Sequence, residues 1–347
     1  MKKITTLVAC CLLLITTTTA QTIITVDNIQ GANAQFNDLQ SAINSASNGD
    51  IIYVHASETS YGDIFINKGL ALIGFSHSAA DKKTILEFVT LGANASNTKI
   101  SGVNIRRNLI VDNPTVITNL VFENNLFDSS SVSNIGFLDA GANNVIFRGN
   151  IIQGVGSNTS STNVNVVTNV IYSNNIFLGG GLVVRFHEST TVENNIFLNS
   201  RVVNVDSATG DQEVEDCIFY KLTGGQQYNP NSNGVVFNNC LSYASSQVVP
   251  DLVGNNNLND IDPLFVAVNP GNNVYEPLSE DYNLQSSSPA KGAGTSGDDI
   301  GLYSTNTNFS FNNFGFTAGI PTVNITAITS QIAPGGTLEV TIESNSN

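Results

Sequence analysis

The 347-residue chain carries 28 acidic against 13 basic residues, a net charge of −15, which argues against nucleic acid and anionic membrane surfaces as partners. Only 12% of its residues are charged and none is tryptophan, so the polar surface must be built mainly from Asn, Ser, Thr and Gly. Neutral amides and hydroxyls suit sugar contacts, and they suit ordinary solvation equally well.

The chain opens Met1-Lys2-Lys3, runs apolar over residues 7–15 and reaches small residues before Ala20-Gln21. A charged start, a short apolar core and a small-residue end predict a secretory leader over residues 1–20. Nine apolar residues are too few to span a bilayer, which takes about 20. Leu7-Val8-Ala9-Cys10 resembles a lipoprotein cleavage box, but the apolar run continues past Cys10, so cleavage is expected near Ala20. The protein is therefore expected outside the cytoplasm, secreted or at the cell surface. Losing Lys2 and Lys3 leaves 11 basic against 28 acidic residues.

Phe36, Leu39, Ile43 and Ala46 share one face of a predicted helix at about 36–47, stopped by Asn48-Gly49. A strand, Ile51-Ile52-Tyr53-Val54, follows. Exposed repeat ends need a cover, and this helix is placed to supply one.

The middle of the chain repeats one phrase. It reads Val121-Phe122-Glu123-Asn124-Asn125-Leu126-Phe127, then Ile146-Phe147-Arg148-Gly149-Asn150-Ile151-Ile152, then Ile171-Tyr172-Ser173-Asn174-Asn175-Ile176-Phe177. It returns around Asn195, Asp216 and Asn239. Taking these six polar residues as markers, the steps are 25, 25, 20, 21 and 23 residues, a stacked-repeat period. Alternation on both sides of the Asn predicts two short strands joined by a bend, with the amides stacking roughly 4.8 Å apart from coil to coil. Leucine-rich repeats share the period. The intervals here, such as 129–141, lack the apolar stripe of a convex helix, and Val, Ile and Phe outnumber Leu at the apolar positions. A β-solenoid is the expected architecture.

Cys217 and Cys240 directly follow the markers Asp216 and Asn239 and are expected at equivalent inward positions on adjacent coils. That distance permits a disulfide; two buried thiols replacing the Ile or Leu of other coils fit the same spacing, and both readings stay open.

Residues 39–54, then Tyr61-Gly62-Asp63-Ile64-Phe65-Ile66-Asn67-Lys68-Gly69-Leu70-Ala71-Leu72-Ile73-Gly74, resemble the opening of right-handed parallel β-helix proteins of the pectin-lyase-like superfamily. Lys99-Ile100-Ser101-Gly102-Val103-Asn104-Ile105 is similar to the next coil of that group. Asp262-Pro263-Leu264-Phe265, Asp281-Tyr282-Asn283-Leu284, Ser287-Ser288-Pro289-Ala290 and Asp299-Ile300-Gly301 resemble its closing segment. The resemblance implies an all-β, right-handed parallel β-helix over 21–305 with an amino-terminal capping helix. It does not imply one chemistry, because the scaffold carries lyases, hydrolases, esterases, epimerases and inert spikes. An irregular excursion is expected at 255–273. Residues 306–347 form a linker and tail, with strands at 322–328 and 337–342 expected to dock on the end of the solenoid.

Each chemistry of that superfamily requires its own set of residues. The only Asp pair, Asp298-Asp299, has no His nearby in sequence, and no Trp-bearing esterase motif exists. A lyase-type Ca²⁺ cage would need clustered carboxylates; Glu213, Glu215 and Asp216 read as turn residues, so no cofactor is expected. His55 and His77 read as isolated surface or turn residues. One stripe remains: aligning Val183-Val184-Arg185-Phe186-His187 with Val202-Val203-Asn204-Val205-Asp206 stacks Arg185 on Asn204 and His187 on Asp206. Arg185 would pair with a sugar carboxylate, and His187 beside Asp206 would move protons; the plain alternative is a solubilising charge pair. The expected function is a secreted, carbohydrate-associated protein that binds or scaffolds polysaccharide. The rivals are a lyase or hydrolase of acidic glycans using Arg185, His187 and Asp206, and a structural stalk or adhesin fragment.

Overall fold

The computed structural model describes residues 21–79, 83–113, 115–129, 135–139, 141–154, 167–179, 183–186, 189–204, 212–221, 227–268, 274–303, 309–316, 321–328 and 335–346. They form a parallel β-solenoid. One long sheet has eleven strands, a second has nine and a third has four, with every pair inside these three parallel. The long sheet runs from Ile23–Val26 to Gly254–Asn255, and the second from Ile85–Leu86 to Leu258–Asn259.

The repeated phrase is the corner between these two sheets. Its first polar residue turns the chain through the left-handed region: Asn124 (φ 53°), Asn174 (55°), Asn194 (55°), Asp216 (52°), Asn239 (51°) and Asn256 (56°). Asn and Asp tolerate this conformation better than other side-chain-bearing residues. The second polar residue points inward and forms the ladder. Asn150 Oδ1 accepts the Asn125 N–H (3.0 Å) and Nδ2 (3.1 Å), while Asn150 Nδ2 donates to the Phe122 carbonyl (2.8 Å). Asn175 and Asn195 repeat the pattern on the next two coils.

This corrects the expected register at Asp216 and Asn239. They occupy the left-handed corner, and Cys217 and Cys240 are themselves the ladder residues. Cys217 Sγ accepts the Asn195 N–H (3.3 Å), Cys240 Sγ accepts the Cys217 N–H (3.4 Å), and Asn257 Oδ1 accepts the Cys240 N–H (2.9 Å). The thiols replace Asn, not Ile or Leu, and both are free and buried.

Inside the solenoid the rings stack from coil to coil. Phe122, Phe147 and Tyr172 lie 4.9 and 5.1 Å apart, and Phe177, Phe197 and Phe219 lie 4.7 Å apart and 6° from parallel. The residue beside each of the latter rings faces outward, yet Leu126, Ile151, Ile176, Ile196, Ile218 and Leu241 are all buried. They form a second core with Phe265, Tyr282, Ala290, Ile300, Leu302 and Phe311. The closing segment is therefore an external strap that returns along the solenoid. Thr295 N–H donates to Asp216 Oδ1 (2.8 Å), Asn239 Nδ2 to Thr295 Oγ1 (3.0 Å), and Asn174 Nδ2 to the Leu302 carbonyl (2.8 Å). Phe309 then lies over Arg148, and the Phe314 carbonyl accepts the His77 N–H (3.2 Å).

The helix is shorter than expected, Leu39–Ser45, because Asp38 caps it by accepting the Ser41 N–H (2.7 Å) and Phe36 instead bridges to Val26. Leu39, Ala42 and Ile43 are buried against the first coils. The expected excursion starts later, since residues 254–259 still belong to the stacked sheets. Pro321–Ile328 and Val340–Ser346 pair antiparallel with each other. Their described side chains, at 326–328 and 340–344, are exposed, so the expected docking on the solenoid is not seen there.

Candidate binding face

The outer side of the long sheet carries three parallel stripes, because strand register repeats each outward position from coil to coil. The first is an amide column: Asn119 Nδ2 donates to Asn97 Oδ1 and Asn144 Nδ2 to Asn119 Oδ1, both at 2.8 Å. Asn97, Asn119, Asn144 and Asn169 all have positive φ, which bulges the strand and lifts these side chains outward. The second stripe is aliphatic, with Val121, Ile146 and Ile171 in register and half-buried. The third mixes serines with ionisable groups: Ser101, Glu123, Arg148, Ser173, Glu193 and Glu215 follow one another in register.

Within the third stripe Glu123 is only 6% exposed and lies between two cations. Lys99 Nζ donates to one carboxylate oxygen (3.0 Å) and Arg148 Nη2 to the other. Burial works to raise the Glu123 pKa, but the Arg148 hydrogen bond and Lys99 outweigh it and hold the carboxyl below its ordinary range. Phe309 of the strap stacks on Arg148 at 4.9 Å, so the strap stands as a wall beside this stripe. Farther along, Glu193 and Glu215 are neighbours in register, and among the described residues no cation stands between them. Burial raises both, and repulsion from nearby carboxylates (Glu215 and Asp216 for Glu193, Asp216 and Glu213 for Glu215) adds to it. A shallow hollow of about 460 Å³ opens there, lined by Thr190, Thr191, Gln212, Glu213 and Glu215.

The arrangement can hold hydroxyl groups on its amides and lie against C–H surfaces on its aliphatic stripe, and it sets two carboxyls with raised pKa values side by side. Among the described residues no group of three or more His, Cys, Asp or Glu is placed to hold a metal ion.

The stripe expected from the sequence fares differently. Arg185 lies on the strand Val183–Phe186, which pairs with Arg201–Asn204, but its register partner is Val203; Asn204 faces Phe186. The expected alignment was one residue out. His187 and Asp206 lie outside the described residues. His55 is exposed, with Nδ1 3.6 Å from Asp27 Oδ2. His77, expected at the surface or in a turn, lies in a bend but is fully buried beneath the strap. The amide column was missed, although its signal is present: an Asn stands three residues before each inward ring at Asn119, Asn144 and Asn169.

Fold and face together define a parallel β-solenoid with a polar, amide-lined sheet surface and a carboxy-terminal strap. No protein-family model matches the chain, and no curated protein matches it. No helix among the described residues is long and apolar enough to cross a membrane.

Proposed function

We propose that this is a secreted, right-handed β-helix protein of the pectin-lyase-like kind that binds or scaffolds extracellular polysaccharide along its long sheet. The reading rests on the three stripes. An extended glycan offers hydroxyls at its edges and C–H groups on its ring faces, at intervals close to the rise of one coil, and the Asn97–Asn119–Asn144 column beside Val121 and Ile146 matches both. The acidic run at Glu193, Glu213 and Glu215 favours a neutral glycan over a uronate one. The leader expected at 1–20 supports export.

A hydrolytic reading is favoured by one observation, the adjacent Glu193 and Glu215 with raised pKa values, which could keep one carboxyl protonated as a general acid. Affinity gel electrophoresis in neutral and uronate polysaccharides, with reducing ends measured in parallel, separates the readings. We expect retardation by a neutral glycan, at least fivefold weaker affinity in Asn119→Leu/Asn144→Leu, and no new reducing ends. Reducing ends that vanish in Glu193→Gln would replace binding by hydrolysis. No retardation by any polysaccharide would leave the stalk.

A further inference from the structure

We propose that the far end of the strap is an acid-released latch seated on His77. The loop Ser76-His77-Ser78 is buried, and it holds the strap at one backbone carbonyl. The His77 N–H and the Ser76 hydroxyl both donate to the Phe314 carbonyl. Asn312 shapes the strap here, its side-chain oxygen accepting the Phe314 N–H (3.0 Å). Gly315 closes directly over the imidazole: a Cβ there would lie 1.9 Å from His77 Cδ2 and 2.4 Å from Nε2.

The imidazole so enclosed suits only the neutral form. Nδ1 shares a 2.6 Å hydrogen bond with the Ser78 hydroxyl, while Nε2 is buried with no partner. A second ring proton would add a charge and a donor where no acceptor waits among the described residues. Among the described residues, the charged and titratable groups around it offer no compensation. Lys83, in its own loop, opposes a positive charge. Tyr275 presents its ring at 6.3 Å. Glu280, on the segment of Tyr275, takes the Glu276 N–H (2.8 Å). Glu123, beside the neutral corner Asn124, is held by Lys99 and Arg148. Strap residues 309–316 carry no ionisable side chain.

Burial first, and Lys83 second, lower the His77 pKa from 6.5 to about 3. The sign follows from linkage. With the strap lifted, His77 returns towards its ordinary value and binds a proton that the closed form refuses. Closure is therefore fully favoured above about pH 6.5, and the opening equilibrium rises about tenfold per pH unit below it, down to about pH 3. Opening uncovers the outward apolar column at Leu126 and Ile151.

Hydrogen exchange of the full chain between pH 7.5 and 4.5, corrected for intrinsic rates, tests this. The opening constant of peptides over 309–316 should rise about tenfold per unit below pH 6.5, while peptides over the ladder at 145–152 stay unchanged. His77→Gln should remove the slope. Gly315→Ala should leave the strap open at pH 7.5, also without a slope, and it stands as the test should His77→Gln not fold. Protection of 309–316 that ignores pH in the wild type, an equal slope in His77→Gln, or wild-type protection in Gly315→Ala would each overturn the latch.

Discussion

Asparagine and cysteine fill the same buried column with unequal bonding power. An amide oxygen accepts two strong hydrogen bonds and the amide nitrogen donates to the coil behind, as at Asn150 and Asn175. A thiol accepts weakly and donates once: Cys240 Sγ reaches the Val214 carbonyl at 3.4 Å, and Cys217 Sγ reaches that of Val192 at 4.0 Å. Replacing both, Cys217→Asn and Cys240→Asn, should extend the amide ladder unbroken from Asn125 to Asn257. We expect a gain of about 1 kcal/mol per site, read as a higher denaturation midpoint in urea. Burial, with Cys240 adding to it, pushes the Cys217 thiol well up, so native protein should resist alkylation. The ion row supplies a second expectation. Glu123→Gln should cost about 2 kcal/mol at pH 7 by removing a carboxylate that two cations share. Because the Glu123 pKa is lowered on folding, its contribution is complete above the ordinary value of 4.5 and is lost as pH falls through the depressed folded value. The gap between wild type and variant should therefore narrow on acidification. At this scale the sequence reveals a ladder where two polar residues stand together. It conceals one where a single Asp precedes a Cys, and only the flanking apolar positions, Val214 against Val192 and Ile218 against Ile196, restore the register.

Among the elements, the strap accounts for two features that the repeat alone leaves odd. Each phrase ends in an apolar pair, such as Leu126-Phe127 or Ile196-Phe197, although alternation should send one member to water. One ring faces the interior and its neighbour faces the strap, so both are buried. The other feature is Gly149, which stands at a corner where most coils have Asn or Asp. A Cβ there would lie 2.2 Å from Phe309 Cζ, so strap packing, not φ alone, selects glycine. Gly149→Asn should keep the corner conformation but displace Phe309 from Arg148. We expect about 1–3 kcal/mol of destabilisation, the range for overpacking, with faster proteolysis inside 303–316 than at the ladder. The apolar pairs hinted at a cover. Its path could not be read in advance, because residues 258–316 have no period and their bonds to Asp216, Asn174 and Ser76 span up to 238 positions.

For the whole molecule, the architecture was legible because one physical demand, a turn plus a buried amide, recurs on successive coils. The candidate binding stripe was not. The Arg185 alignment lacked a fixed corner and slipped by one residue, which in a strand exchanges the two faces. The amide column at Asn97, Asn119 and Asn144 was hidden for the opposite reason, since each Asn reads as a strand breaker until its positive φ is seen. The glycan assay is the test at this scale, because a stripe spanning several coils should bind long chains far better than single sugars.

A stack of coils held only by neighbour contacts would fray from whichever extremity is weaker. Here the polypeptide doubles back from the Asn239 corner to His77, near the coil where the stack begins. Ile23, where the first strand begins, and Phe316, where the strap ends against Phe75, thus lie towards one pole of the stack. A pull applied through them would peel the returning segment away before any load reached the stacked sheets.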